Sequence, residues 1–192
     1  MSNKSAKEKI LEAAATLFYN DGIANTGINA ITDRAGVAKM SLYNNFPTKS
    51  DLIATYIQAR HQEWLNLYAK RLVDCKSAYE RILAVFDAYQ DHAEYAYEKG
   101  FRGCGLLNAA AEFPADSPER IAVKQHKEEV EQILVEHLGG LFQNQNKIQE
   151  LALFISFVLE GSIARAGLEG NGDKVHAAKK MIERLLQQEL NT

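Results

Sequence analysis

A chain of 192 residues with 46% hydrophobic and 24% charged side chains can bury a sizeable core, which excludes a disordered polypeptide. Three prolines and twelve glycines among many Ala, Leu, Glu, Lys and Gln favour an all-helical protein. The net charge of −3 taken whole argues against a nucleic-acid binder, but residues 1–50 carry six basic against four acidic side chains, so a mildly basic head precedes an acidic remainder.

The chain opens on a polar segment without the apolar run of a signal peptide. Ser5 and Glu8 then stand in capping-box spacing ahead of an apolar stripe, Ile10, Ala13, Ala14, Leu17 and Phe18, so a first helix is expected to stop at Asn20-Asp21-Gly22. A second helix starts at Thr26 or Gly27, with Ile28, Ile31 and Ala35 on one face. Gly36 is free to take the left-handed backbone that reverses the chain. Leu42 and Phe46 restart the apolar pattern four residues apart, and Pro47 ends the third helix. Lys39, Met40, Ser41, Tyr43, Asn44 and Asn45 are left on its outer side. This is the pattern of a helix-turn-helix, and an ordinary antiparallel helix pair has the same periodicity.

Thr48 and Asp51 cap a fourth helix that continues through Trp64 to about Leu72, with no Gly/Ser-rich linker along it. Ser77–Glu98 reads as a long helix, broken by the glycines at 100, 103 and 105. A short helix over Leu106–Phe113 follows, and then one from Ser117-Pro118 to Gly140. Lys147–Leu168 is apolar nearly all round and needs burial on both faces, one against the core and one against a second subunit. Its longest apolar run, Leu151–Leu159, is short of the roughly 20 residues of a membrane span. Val175, Ala178, Ile182, Leu185 and Leu186 stripe the last helix.

The run Gly-Val-Ala-Lys-Met-Ser-Leu-Tyr-Asn-Asn-Phe-Pro-Thr-Lys-Ser-Asp-Leu, from Gly36 to Leu52, resembles the signature of the TetR family of bacterial transcriptional regulators. There the run reads roughly Gly-Val-Ser-Lys-Gly-Thr-Leu-Tyr-His-His-Phe-x-x-Lys-x-x-Leu. The likeness covers about residues 8–55; the remainder agrees in length and helical character. It implies an all-α protein with a helix-turn-helix DNA-binding domain over 5–65 and a ligand-binding and dimerisation bundle over 66–192. DNA contact then falls to Thr26, Gly27, Lys39, Met40, Ser41, Tyr43, Asn44, Asn45 and Lys49, with Thr26 and Lys49 on phosphates. Three departures stand out: Ala38 in place of a capping hydroxyl, Met40 in place of a small residue, and Asn44-Asn45 in place of a His pair. They leave the binding mode intact and bear on which operator is read.

No catalytic constellation is visible. His61, His92, His126, His137 and His176 are scattered without ligand spacing, so neither metal nor cofactor is expected. Cys75 and Cys104 make no disulfide framework, and the expected compartment is the cytoplasm. Trp64, Phe86, Tyr89, Phe113 and Phe154, with Asn108 and Glu112 as polar contacts, are candidates to line a pocket for a mostly apolar small molecule. Phe157, Gly161, Ala164, Ile182 and Leu185 are candidates for the dimer interface. The expected function is a homodimeric repressor released from operator DNA by an effector. A small helical enzyme or carrier that keeps the helix pair as scaffold is the alternative.

Overall fold

The computed structural model describes residues 4–191 and is helical, with no strand among the described residues. The helices are α1 (Ala6–Asp21), α2 (Ile28–Ala35), α3 (Lys39–Asn45), α4 (Lys49–Leu72), α5 (Ala78–Ala93), α6 (Gly105–Ala110), α7 (Pro118–Gly139), α8 (Gln145–Glu169) and α9 (Asp173–Leu190). They form two compact units, one of residues 1–61 and 105–123 and the other of 62–104 and 124–192. The first unit thus takes in α6 and the start of α7, a stretch that lies in the second domain as the family resemblance implies it.

In the first unit, the helix starts follow their caps. Ser5 and Glu8 close a reciprocal capping box, and Thr48 and Asp51 close another ahead of α4. Between α2 and α3 the chain reverses at Gly36, with φ at 65°, and the amides of Gly36 and Val37 return to the carbonyls of Asp33 and Thr32. Ile10, Ala14, Ile31, Leu42, Phe46 and Leu52 fill the core, and Phe18 meets Tyr56 edge to face.

The second unit packs α5, α8 and α9 together. Ile82, Val85, Phe86, Ile155, Leu159, Ile163, Val175, Ile182 and Leu186 lie in its core. Helix α5 ends at Ala93, five residues before the expected stop. Its His92 meets Tyr97 and Phe101 edge to face, and burying Phe101 requires the chain to fold back from the helix axis.

α8 is by length and composition alone apolar enough to cross a membrane, a property it shares with helices packed in a protein core. Its apolar content divides between a core face and an exposed one. Leu151, Ala152, Ile155 and Leu159 are buried, and Leu153, Phe154 and Phe157 are exposed.

Trp64 stacks on Tyr68, whose hydroxyl lies 2.6 Å from His137 Nε2. Partial burial holds the imidazole below its ordinary pKa, and the ring shares its hydrogen bond with the Tyr68 hydroxyl. With the folded-state value depressed, the unfolded chain binds the proton first. Stability contributed by this pair is therefore complete above the unfolded histidine value of about 6.5 and falls as pH drops from there through the lowered folded value. Denaturation midpoints measured from pH 7.5 down to 5 should fall with a slope that His137→Gln reduces.

Candidate DNA-binding surface and interior polar cluster

Seven residues make a weak helix, and α3 has no side-chain cap because its N-cap is Ala38. It is held instead by Leu42 and Phe46, both essentially inaccessible. The sequence between these anchors then has to face outward. Lys39, Met40, Tyr43 and Asn44 are exposed, Met40 at 71%. Ser41 and Asn45 are half-buried, and the Asn45 amide donates 2.8 Å to the Ser41 carbonyl, which commits it to its own helix.

Gly27 is exposed at the start of α2, and no atom crowds it. Thr26 and Lys49, the two residues expected on phosphates, both bond to the turn between α1 and α2. Thr26 is buried, and its hydroxyl donates 2.6 Å to the Gly22 carbonyl, so its one proton is spent inside the fold. Lys49 Nζ donates 2.6 Å to the Ile23 carbonyl. Both side chains serve the turn between α1 and α2.

The residues expected to line a pocket do not gather in one place. Asn108, Glu112 and Phe113 belong to the first unit, Trp64, Phe86, Tyr89 and Phe154 to the second. Glu112 accepts hydrogen bonds from the Ile23 and Ala24 amides, which occupies both of its carboxylate oxygens. Phe154 lines a groove of about 370 Å³ with Lys147, Glu150, Leu151, Leu185 and Glu189. Trp64 and Tyr89 meet edge to face, Trp64 also packs on His126, and Phe86 is fully buried.

Around Tyr89 lies a charged cluster that the sequence reading missed. Lys127 Nζ sits 2.8 Å from Glu160 Oε1, 3.3 Å from the Tyr89 hydroxyl and 3.7 Å from Cys104 Sγ. Burial alone would favour the neutral amine, but Tyr89, Cys104 and Glu160 facing it reverse the balance and raise the Lys127 pKa. Burial raises that of the Tyr89 hydroxyl. Two atoms are left over: Trp64 Nε1 and Glu160 Oε2 are buried without a hydrogen-bond partner. Such orphans cost about 1–3 kcal/mol each and are uncommon in native interiors. A signal for this cluster was present in the sequence. Lys127 interrupts the apolar stripe Val123, Val130, Leu134, and Glu160 is the sole charge between Glu150 and Arg165 of α8.

Of the expected dimer-interface residues, Phe157 is 65% exposed, Gly161 and Ala164 are exposed, and Leu185 is half-buried. Ile182 is a correction: at 1% exposure it belongs to the unit's own core, because α9 turns the face of Val175, Ala178, Ile182 and Leu186 toward α5 and α8. Among the described residues, no group of three or more His, Cys, Asp and Glu is placed to hold a metal ion.

A glycine-reversed helix pair whose second member is anchored by two buried residues and exposes its polar side is a helix-turn-helix. Residues 10–56 match the family model described as bacterial regulatory proteins, tetR family. The HTH-type transcriptional regulator LmrA of Bacillus subtilis is 26% identical over 85% of this chain and 87% of its own. The HTH-type transcriptional regulator QacR of Staphylococcus aureus is 24% identical over 73% and 70%. A TetR-family transcriptional regulator from Streptomyces coelicolor, SCO4454, superposes with a TM-score of 0.82 over 97% of this chain and 94% of its own, at 24% identity. Residues 10–56 thus carry the DNA-binding region of the TetR family, and the chain is similar over most of its length to transcriptional regulators of that kind.

Proposed function

We propose that the protein is a homodimeric repressor, that α3 reads operator DNA, and that a small molecule bound in the second unit releases it. The observation that carries the reading is the exposed face of Lys39, Met40, Tyr43 and Asn44 on a helix anchored from behind by Leu42 and Phe46. Lys39 and Tyr43 are assigned to backbone phosphates. Met40 can press on a thymine methyl, and Asn44 has the donor and acceptor that pair with an adenine edge. Lys39→Ala should lower affinity for all duplexes alike and reduce the steepness of its salt dependence by about one unit of slope. Met40→Ala should change base preference and leave that slope in place. Fluorescence anisotropy on duplexes selected from random sequence separates the two; a base-specific effect of Lys39→Ala would refute the assignment.

A homodimer is supported by the exposed strip of Leu153, Phe154 and Phe157 on α8, beside Gly161 and Ala164, which permit close backbone approach. A second copy of the same helices is the occupant that suits this strip, as in the family. Phe157→Glu should yield a monomer by sedimentation and lose most of the affinity that simultaneous engagement of two half-sites provides. A variant that stays dimeric would move the interface elsewhere.

Support for an effector comes from the unpartnered Trp64 Nε1 and Glu160 Oε2, on side chains that both contact Tyr89. A mostly apolar molecule carrying one acceptor and one donor would satisfy both, and Lys127 already balances the Glu160 charge. Such a ligand weakens DNA binding only as far as it prefers the DNA-incompetent state. Compounds screened by release of a bound duplex should include some whose potency drops about tenfold, the equivalent of one lost hydrogen bond, in Trp64→Phe and Glu160→Gln. Duplex affinity without compound should be unchanged in Trp64→Phe, which keeps the Lys127–Glu160 ion pair. Potency unaffected by both substitutions would exclude this site.

Repression is the sign proposed here. Among partial relatives, KstR2 of Mycolicibacterium smegmatis is named a repressor and FasR of the same organism an activator, so transcription in a deletion strain decides it.

A further inference from the structure

The turn after α1 is held from two sides by side chains distant in sequence. Gly22 ends α1 with φ at 89°, which turns the amides of Ile23 and Ala24 outward together. The Glu112 carboxylate receives both, Oε1 at 2.8 Å from Ile23 N and Oε2 at 2.7 Å from Ala24 N. A Cβ at position 22 would lie 3.2 Å from Oε1, so glycine there provides both the backbone angle and room for the carboxylate. On the other side, the Ile23 carbonyl accepts from Lys49 Nζ at 2.6 Å and from the Thr26 amide at 3.3 Å. The Gly22 carbonyl accepts from the Thr26 hydroxyl. Glu112 itself follows α6 on a tight turn, its amide bonded to the Ala109 carbonyl.

We propose that Glu112 is a positioning residue for DNA binding. Through the Ile23–Ala24 amides it fixes the turn that sets the start of α2 and that engages Lys49. The DNA-binding unit is thereby discontinuous in sequence, residues 1–61 completed by 105–123, with one carboxylate fastening the inserted segment to the head. This inference rests on the DNA-binding reading.

The sign of the effect makes the test decisive. Glu112 carries a negative charge in the unit that meets DNA, so removing it should tighten binding if charge alone mattered. Positioning predicts the opposite. In the full chain, Glu112→Ala and Glu112→Gln should each weaken binding about tenfold, on the scale of one charge-assisted hydrogen bond, for selected and arbitrary duplexes alike. The salt slope should stay that of wild type, because Glu112 touches no phosphate. Amide hydrogen exchange should rise at residues 22–26, and Asp116→Asn, an exposed carboxylate nearby, should show neither effect. Glu112→Gln preserves size and one acceptor oxygen, so it serves if the alanine variant fails to fold.

Unchanged exchange at Ile23 and Ala24 would overturn the clamp. Raised exchange with unchanged or tighter DNA binding would overturn the positioning role. A wild-type chain without affinity for any duplex would instead defeat the DNA-binding reading, a result separable from the other two.

Discussion

The burial of Leu42 and Phe46 is the constraint on which the DNA-binding surface depends. A seven-residue helix without a cap is unstable in water, since helices below about 12–15 residues are marginal even in favourable sequences. Two side chains four residues apart, both excluded from solvent, supply what hydrogen bonding within α3 does not. They also fix its rotation. With one side of so short a helix committed inward, Lys39, Met40, Tyr43 and Asn44 have only solvent, or a groove of DNA, to face.

Much of this was legible in the sequence because it rests on local rules. The capping pairs Ser5/Glu8 and Thr48/Asp51, the left-handed Gly36 and the i,i+4 anchors act within a few residues, and the pattern states them directly. What was not legible depends on contacts across long separations. Glu112 lies 89 residues from Ile23, and nothing in the spacing of α6 says that its carboxylate caps a turn of the head. For the same reason nothing in the sequence says that Lys49, which reads as a phosphate ligand, also gives a hydrogen bond to the Ile23 carbonyl. Ile182 shares an apolar stripe with Leu185, yet a difference of three positions separates core from margin. Periodicity gives a face and not its partner.

The second unit follows different physics. A lysine and a glutamate among aromatics cost desolvation, and removing either partner would leave an uncompensated charge. Lys127 reaches across to Glu160, Tyr89 and Cys104 and ties α7, α8, α5 and the segment before α6 into one polar knot. A hydrophobic core alone has no use for such an expense. Its unmatched Trp64 and Glu160 atoms are the hydrogen-bonding groups that the proposed effector would satisfy.

The central claim is that the exposed face of α3 enters a major groove. Dimethyl sulfate footprinting of the full chain on its own upstream DNA tests it in one experiment, because the reagent marks guanine N7 in the major groove and adenine N3 in the minor groove. The account predicts protected guanine N7 atoms in two patches roughly 34–36 Å apart on one side of the duplex. Protection confined to adenine N3, with every guanine N7 still reactive under a bound protein, would contradict it.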